Sequence, residues 1–287
     1  MNRFYLIFFI LINLTFTLNA QSVDFGIGIG GSAYWGDLNA PSLGTNLGNT
    51  NIALQGTARL NLNNYLAGRV NLLYGQLKGD DQRSTEEFQK QRNLDFHSHL
   101  FELSVMGELH VFGYNLDEDN PISPYLTAGV GVFRFNPTTV FQGDRVELQP
   151  LGTEGQGLPG FANKYSRVAV SIPFGAGAKL KMTESMYLAI DVIARRTLTD
   201  FIDDVSGNYV NFNELASGNG ILAAQLGDRT GEFFGQEEPF IRETGDQRGG
   251  ASVDDYFFTF MVTLNFKFGE LKSLNFGKKS KVYCPKF

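Results

Sequence analysis

The chain has 287 residues, 43% of them hydrophobic, with a formal net charge of −6 and a single cysteine. The cysteine count excludes a disulfide-stapled scaffold, and the acidic balance argues against a nucleic-acid binder. There is no heptad run, solenoid period or long low-complexity tract, and a chain of this length suits one large β domain or two small ones.

Met1-Asn2-Arg3 leads into an apolar run from Phe4 to Leu18 and then Asn19-Ala20-Gln21. A basic start, a short apolar run and a small residue at its end read as a secretory signal peptide over residues 1–20. The run is short for a membrane helix, which needs ~20 residues. No cysteine follows Ala20, so a lipoprotein anchor is not expected there. No later segment reads as a membrane-spanning helix.

Val23 to Trp35 alternates Val23, Phe25, Ile27 and Ile29 with Asp24, Gly26, Gly28 and Gly30. This predicts a strand with one bulky face and one glycine face. A dinucleotide loop is the weaker reading of these glycines, because no helix pattern follows. Glycines facing a narrow lumen fit better. Leu38 to Thr50 reads as loop. Ile52 to Leu62 and Leu66 to Tyr74 are strands joined by a tight Asn63-Asn64 turn. Their arginines, Arg59 and Arg69, lie on the rows opposite the apolar ones. A soluble barrel would turn the apolar row inward, and a membrane barrel inverts this. The rows themselves do not choose, but the signal peptide and the aromatic residues at strand ends favour inversion.

Gly79 to Asp95 is polar and charged and reads as a long exposed loop with one helical turn. His97 to Phe112 is a strand with Phe101, Leu103, Val105, Leu109 and Val111 on one face and Glu102, Ser104, Glu108 and His110 on the other. Gly113 to Ile122 is a turn. Pro124 to Phe135 is a strand with Gly129 and Gly131 inward, and Asn136 to Tyr165 reads as loop. Val168 to Leu180 is a strand containing Pro173, where the lost donor predicts a bulge or local break. Thr183 to Ser185 is a turn, and Leu188 to Arg195 is a strand with Asp191 and Arg195 on the polar row.

Thr199 to Asp254 is too long for a plain loop. Gly207-Asn208 between Val205 and Tyr209-Val-Asn-Phe212 suggests a hairpin standing beyond the barrel. The last strand, Asp255 to Phe268, is the clearest. Tyr256, Phe258, Phe260, Val262, Leu264, Phe266 and Phe268 form an apolar row with aromatics at both ends. Residues 269–287 form a basic tail.

The expected fold is therefore all-β: a transmembrane antiparallel barrel of about eight strands over residues 21–268, with long outer loops and short periplasmic turns. The cell outer membrane is the expected location, and its lipid the surrounding solvent. A barrel of this size is filled by side chains, so Arg59, Arg69, Glu102, Glu108, Lys179, Asp191 and Arg195 are expected to form lumen ion pairs. Arg69 with Glu102 or Glu108, and Lys179 with Asp191, lie on sequential strands. A proton or ion path is the alternative.

His97, Ser98, His99 and Glu102 have the parts of a hydrolytic site, but alternation puts the histidines and the Ser98–Glu102 pair on opposite faces. Asp203, Asp204 and Asp228 are calcium candidates without an EF-hand spacing. Solvated or arginine-paired carboxylates, with Arg195, Arg196 or Arg229 as partners, are the plainer reading. Cys284 has no partner within the sequence. No catalytic residue, cofactor or metal is assigned.

Gly31-Ser-Ala-Tyr-Trp-Gly-Asp-Leu38, Ser98-His-Leu-Phe-Glu-Leu-Ser104, Ser123-Pro-Tyr-Leu-Thr-Ala-Gly-Val-Gly-Val-Phe133, Leu148-Gln-Pro-Leu-Gly-Thr-Glu-Gly-Gln-Gly157, Ile172-Pro-Phe-Gly175 and Arg195-Arg-Thr-Leu-Thr-Asp-Phe-Ile-Asp-Asp-Val-Ser-Gly-Asn-Tyr209 resemble the PorG family. These are outer-membrane barrels of the type IX secretion system. The resemblance spans nearly the whole mature chain. It implies a non-enzymatic role in protein secretion, alongside a periplasmic ring built by a lipoprotein and its partner subunit. The lysine-rich tail and Cys284 depart from the pattern. Within that tail Lys272, Phe276, Lys278, Lys279, Lys281 and Tyr283 are the candidate ring-binding residues. A lipid-modifying barrel enzyme and a small porin or ligand-binding barrel are the alternatives.

Overall fold

The computed structural model describes residues 22–38, 50–113, 121–236, 238–250 and 254–268. The expected signal peptide, Cys284 and the tail residues Lys272, Phe276, Lys278, Lys279, Lys281 and Tyr283 lie outside the described residues.

Eight strands close into an antiparallel barrel: β1 (Ser22–Trp35), β2 (Asn51–Asn61), β3 (Leu66–Asp80), β4 (Asp95–His110), β5 (Ile122–Arg134), β8 (Val168–Lys181), β9 (Met186–Thr197) and β10 (Tyr256–Phe268). Each pairs with its neighbour in sequence, and β1 pairs with β10 from Val23↔Phe268 to Trp35↔Tyr256, which closes the ring. Closure leaves no barrel strand with an unpaired edge. At one end lie the short turns after β2, β4 and β8, and at the other the four long connections.

The period-two rows fall as a membrane requires. Phe25, Ile27, Ile29, Leu54, Leu72, Leu103, Val105, Val130, Val170, Phe174, Val192 and Phe260 all point outward and are exposed. An apolar belt running round the whole barrel is a surface for lipid, not for water. Aromatic residues edge it: Phe25 meets Phe268 near the turn end, and Trp35 meets Phe258 near the loop end. Among the described residues no helix is long and apolar enough to cross a membrane; the crossing is made by strands.

The inward glycines of β1 answer to crowding. A Cβ at Gly26 would stand 2.2 Å from Asn265 Oδ1, and one at Gly30 would stand 1.9 Å from the Phe260 carbonyl oxygen. Pro173 has a local effect. The β5–β8 ladder runs from Ile122↔Leu180 to Ala128↔Phe174 and resumes, in unchanged register, at Gly131↔Ser171. The missing donor interrupts pairing without adding a residue, so the expected bulge or break is a break.

Three loop readings need correction. β3 continues past Tyr74 to Asp80 and stays paired with β4 out to Asp80↔Asp95. Residues 136–165, read as loop, contain a hairpin, β6 (Pro137–Phe141) and β7 (Asp144–Glu147), with β6 joined to the top of β4. Its turn places Gln142 and Gly143 at φ 51° and 92°, the positive φ pair that two-residue hairpins favour. The expected hairpin around Gly207-Asn208 is absent: only an isolated bridge joins Asn208 to Gln247. The segment forms α2 (Phe212–Asn219), α3 (Ile221–Gly227) and α4 (Thr230–Phe233), while α1 (Glu87–Arg92) lies in the β3–β4 connection. Val210, Leu215, Ala223 and Ala224 form a small core there, packed by Leu151, Leu158 and Phe161. Burial of this face, rather than propensity, sustains such short helices.

Candidate functional site: a filled lumen under a tied cap

Alternation along each strand sends all seven predicted lumen charges inward, and each is buried. Near the turn end, Glu108 of β4 is the hub. Its Oε1 lies 2.8 Å from Arg59 Nε and 3.2 Å from Arg69 Nη1, and its Oε2 lies 3.1 Å from Lys179 Nζ. Arg69 also reaches Asp191 Oδ1 at 3.2 Å, and Tyr125 donates to the same carboxylate. Asp24 accepts from Asn61 and Tyr187, each at 2.8 Å. Further towards the loops Arg195 Nε donates to Glu102 at 2.7 Å, Ser171 donates to the same carboxylate at 2.6 Å, and Arg195 stacks over the Phe257 ring.

These contacts settle which partners meet. Arg69 pairs with Glu108, one of its two expected partners, and Arg195 takes Glu102. Lys179 is placed against Glu108 rather than Asp191, because Asp191 lies beside Arg69 and Tyr125. The buried lumen charges are balanced: Arg59, Arg69, Lys179 and Arg195 face Asp24, Glu102, Glu108 and Asp191. Balance and mutual hydrogen bonding are what make a buried charge cluster tolerable.

Above this polar section the interior turns apolar. Leu73, Leu77, Leu100, Phe133, Phe257 and Met261 pack with Leu148, Ile202, Val205 and Leu226 from the long connections. The loops therefore seat a hydrophobic stopper in the outer mouth of the barrel.

Polar ties hold that stopper. Arg248 Nη1 donates to Glu154 at 2.9 Å and to the Asp204 carbonyl at 2.8 Å, and its Nε donates to the Gly227 carbonyl at 3.0 Å. Arg92 Nη1 donates to the Arg248 carbonyl at 2.7 Å, and Arg92 Nη2 reaches Asp81 at 2.7 Å. Glu154 also accepts from the Ser206 amide at 2.9 Å. Thr153 and Tyr165 both donate to Asp204 at 2.5 Å. Burial raises the Asp204 carboxyl to about 6, against the opposing pull of Arg248. Sequence reading missed Arg92 and Arg248, since single arginines in irregular segments carry no periodic signal.

The other candidates come apart. His97 and His99 sit on the outer wall, whereas Ser98 and Glu102 are buried inside. His99 Nδ1 hydrogen-bonds the Tyr74 hydroxyl at 2.8 Å, and Ser98 Oγ accepts from the Asn136 amide at 2.9 Å. Of the calcium candidates, Asp203 and Asp204 are bound by tyrosine, threonine and backbone donors, and Asp228 pairs with Arg242 at 2.8 Å. The arginines expected for them are engaged elsewhere: Arg195 with Glu102, Arg196 with Asp254, Arg229 with Asp95 and Glu232. Among the described residues no group of three or more potential ligands is arranged for a metal ion.

An eight-stranded ring with an apolar outer belt and a filled polar lumen defines the class: this is an outer-membrane type β-barrel. The chain belongs to the DUF6089 family, a domain of unknown function, which matches residues 2–223. No curated protein matches the sequence. Solved structures similar to the chain include Neisserial surface protein A (10% identity, 87% of this chain and 99% of that one, TM-score 0.41). They also include OprG from Pseudomonas aeruginosa (10%, 88% and 99%, TM-score 0.41) and the outer membrane enzyme PagL (13%, 85% and 98%, TM-score 0.30).

Proposed function

We propose that this barrel is a non-enzymatic component of the type IX protein secretion machinery, held in the outer membrane and associated with its periplasmic ring. The observation that carries the reading is the filled lumen. A charge-balanced plug below and an apolar stopper above leave a folded cargo no path through the barrel, so its contribution is positional. The PorG-like sequence runs supply the system. Several of them converge on one structural unit: Tyr34 and Leu38 from the first run bind Asp203 from the last, and Thr153 and Glu154 bind Asp204 and Ser206. Secretory export by residues 1–20 and docking of the ring lipoprotein or its partner by the basic tail belong to the same reading.

The test is co-purification from detergent-extracted membranes, using the full chain and a chain truncated after Gly269. Every barrel strand survives that truncation. The expected result is recovery of ring subunits with the full chain, loss of them with the truncated one, and reduced secretion. Absence of ring subunits from both would refute the secretion reading. Their retention on the truncated chain would move the contact from the tail to the turns or the wall.

A further inference from the structure

The outer wall is not uniform at the height where lipid headgroups begin. On β3, β4 and β5 the apolar belt ends at Tyr74, Phe101 and Val132, and the next outward positions are Gln76, His99 and Arg134. Arg134 stands opposite Phe101 in the ladder, and Lys78 stands opposite His97 one step further out. The β6–β7 hairpin adds Arg145, whose Nη1 donates to Thr138 at 3.1 Å, and Thr138 is itself the ladder partner of His97. Arg134 and Arg145 are exposed and Lys78 half-buried. None of the three has a carboxylate partner among the described residues. The acids nearby are engaged: Asp80 with Arg83, Asp95 with Arg229, Glu147 with Arg167. Asp144 sits at the hairpin turn. Across the barrel the same height carries Trp35, Tyr256 and the paired Arg196–Asp254 instead.

Beneath these cations the wall is hollowed. Gly56 faces outward between Ile27 and Leu72, and a Cβ there would meet nothing within 4 Å. The hollow, about 610 Å³, is bounded on its loop side by Tyr74, Phe101 and Arg134. A second hollow of about 470 Å³ shares Ile27, Gly56 and Leu72 with it and continues to Phe25 and Phe266 near the turn end. The pair form an apolar trough leading down from the cationic sector.

We propose that Lys78, Arg134 and Arg145, with the trough at Gly56, form a binding site for a phosphorylated acyl lipid of the outer leaflet. Cations lacking a protein counter-charge at headgroup height supply the phosphate contacts. The trough takes a chain that would otherwise pack loosely against a convex wall. The inference rests on the barrel standing in the membrane with its long loops outward, and is independent of any part in secretion.

Native mass spectrometry of the detergent-extracted full-length barrel reads this directly. The probes are bisphosphorylated lipid A, the same lipid A stripped of its phosphates, and inorganic phosphate. Wild-type protein should retain the bisphosphorylated form preferentially. The combined variant Lys78→Gln, Arg134→Gln, Arg145→Gln should lose affinity by about tenfold or more. Lys181→Gln, at the opposite end of the barrel, should leave it unchanged. Gly56→Leu fills open space, so it should fold normally, shown by an unchanged heat-dependent gel shift, yet bind the lipid less tightly. Equal retention by the triple variant, or equal retention of the phosphate-free lipid, would overturn the site. Competition by inorganic phosphate as effective as by the lipid, or no effect of Gly56→Leu, would overturn the assignment to an acyl lipid.

Discussion

The carboxyls of Asp203 and Asp255 converge on one hydroxyl: Tyr34 Oη lies 2.6 Å from Asp203 Oδ2 and 2.8 Å from Asp255 Oδ1. That hydroxyl has one proton to donate. If both carboxyls were ionised, one would face a lone pair at hydrogen-bond distance. One of the two therefore carries a proton, and the three groups form a short chain that ties β1 and the start of β10 to the stopper. Asp255 also accepts from the Ile202 amide at 2.8 Å, which fixes the residue that enters the barrel mouth.

A pH dependence of the cap follows. Burial raises the carboxyls of Asp203 and Asp255, and neighbouring acids raise them further. Burial likewise lifts Asp200 to about 7 and Asp204 to about 6. Groups raised on folding give their full stabilisation below the ordinary carboxylate range, roughly pH 4. It is lost as pH rises through the folded values, to about 7 for Asp200. Amide exchange in the cap, corrected for intrinsic rate, should be slower at pH 5 than at pH 8. Asp255→Asn keeps the Ile202 contact and supplies the missing donor to Tyr34, so its pH slope should be shallower. An unchanged slope would show that the pair is not the source.

Arg248 should behave as the keystone of the cap. It is buried and donates to Glu154, Gly227 and Asp204, while its own carbonyl accepts from Arg92. Arg248→Met leaves Glu154 with one charge partner fewer and two carbonyls unserved, a cost of ~3–5 kcal/mol if nothing relaxes. The loss should fall on the cap alone. Limited proteolysis should cut within residues 198–250 while the heat-dependent gel shift of the barrel is retained. Protection equal to wild type would mean that apolar packing of Ile202, Val205 and Leu226 suffices.

The barrel was legible in the sequence because period two is a strong signal and a closed ring repeats it eight times. The same period put the seven expected lumen charges on the inward rows, but Asp24, which shares the inward row of β1 with the glycines, was not among them. The period reached partners only between sequential strands: Arg69 does meet Glu108, but Lys179 takes Glu108 rather than Asp191, because a narrow lumen also brings together strands that are not neighbours. Arg59 of β2 meets Glu108 of β4, and Arg195 of β9 meets Glu102 of β4. The cap was poorly legible for a different reason. Its helices run seven or eight residues at most and exist by packing against Leu151, Leu158 and Phe161 from a distant segment. The hairpin β6–β7 was within reach, since Pro137-Thr-Thr-Val-Phe141 is followed by Gln142-Gly143 at a turn.

The plug gives the sharpest stability prediction, because three cations share Glu108. Glu108→Gln removes one charge from a balanced, buried set and leaves Arg59, Arg69 and Lys179 under-compensated. The expected cost is ~3–5 kcal/mol, seen as a lower temperature for conversion of the folded gel band. Arg69→Leu should cost less, since Asp191 keeps its bond from Tyr125. Adding Lys179→Met to Glu108→Gln restores the charge balance, so the double variant should be more stable than Glu108→Gln alone. A coupling of about 1 kcal/mol or more is expected for groups in direct contact. If the two effects instead add, Lys179 draws its compensation from the rest of the lumen, and the hub at Glu108 is shared by the two arginines only.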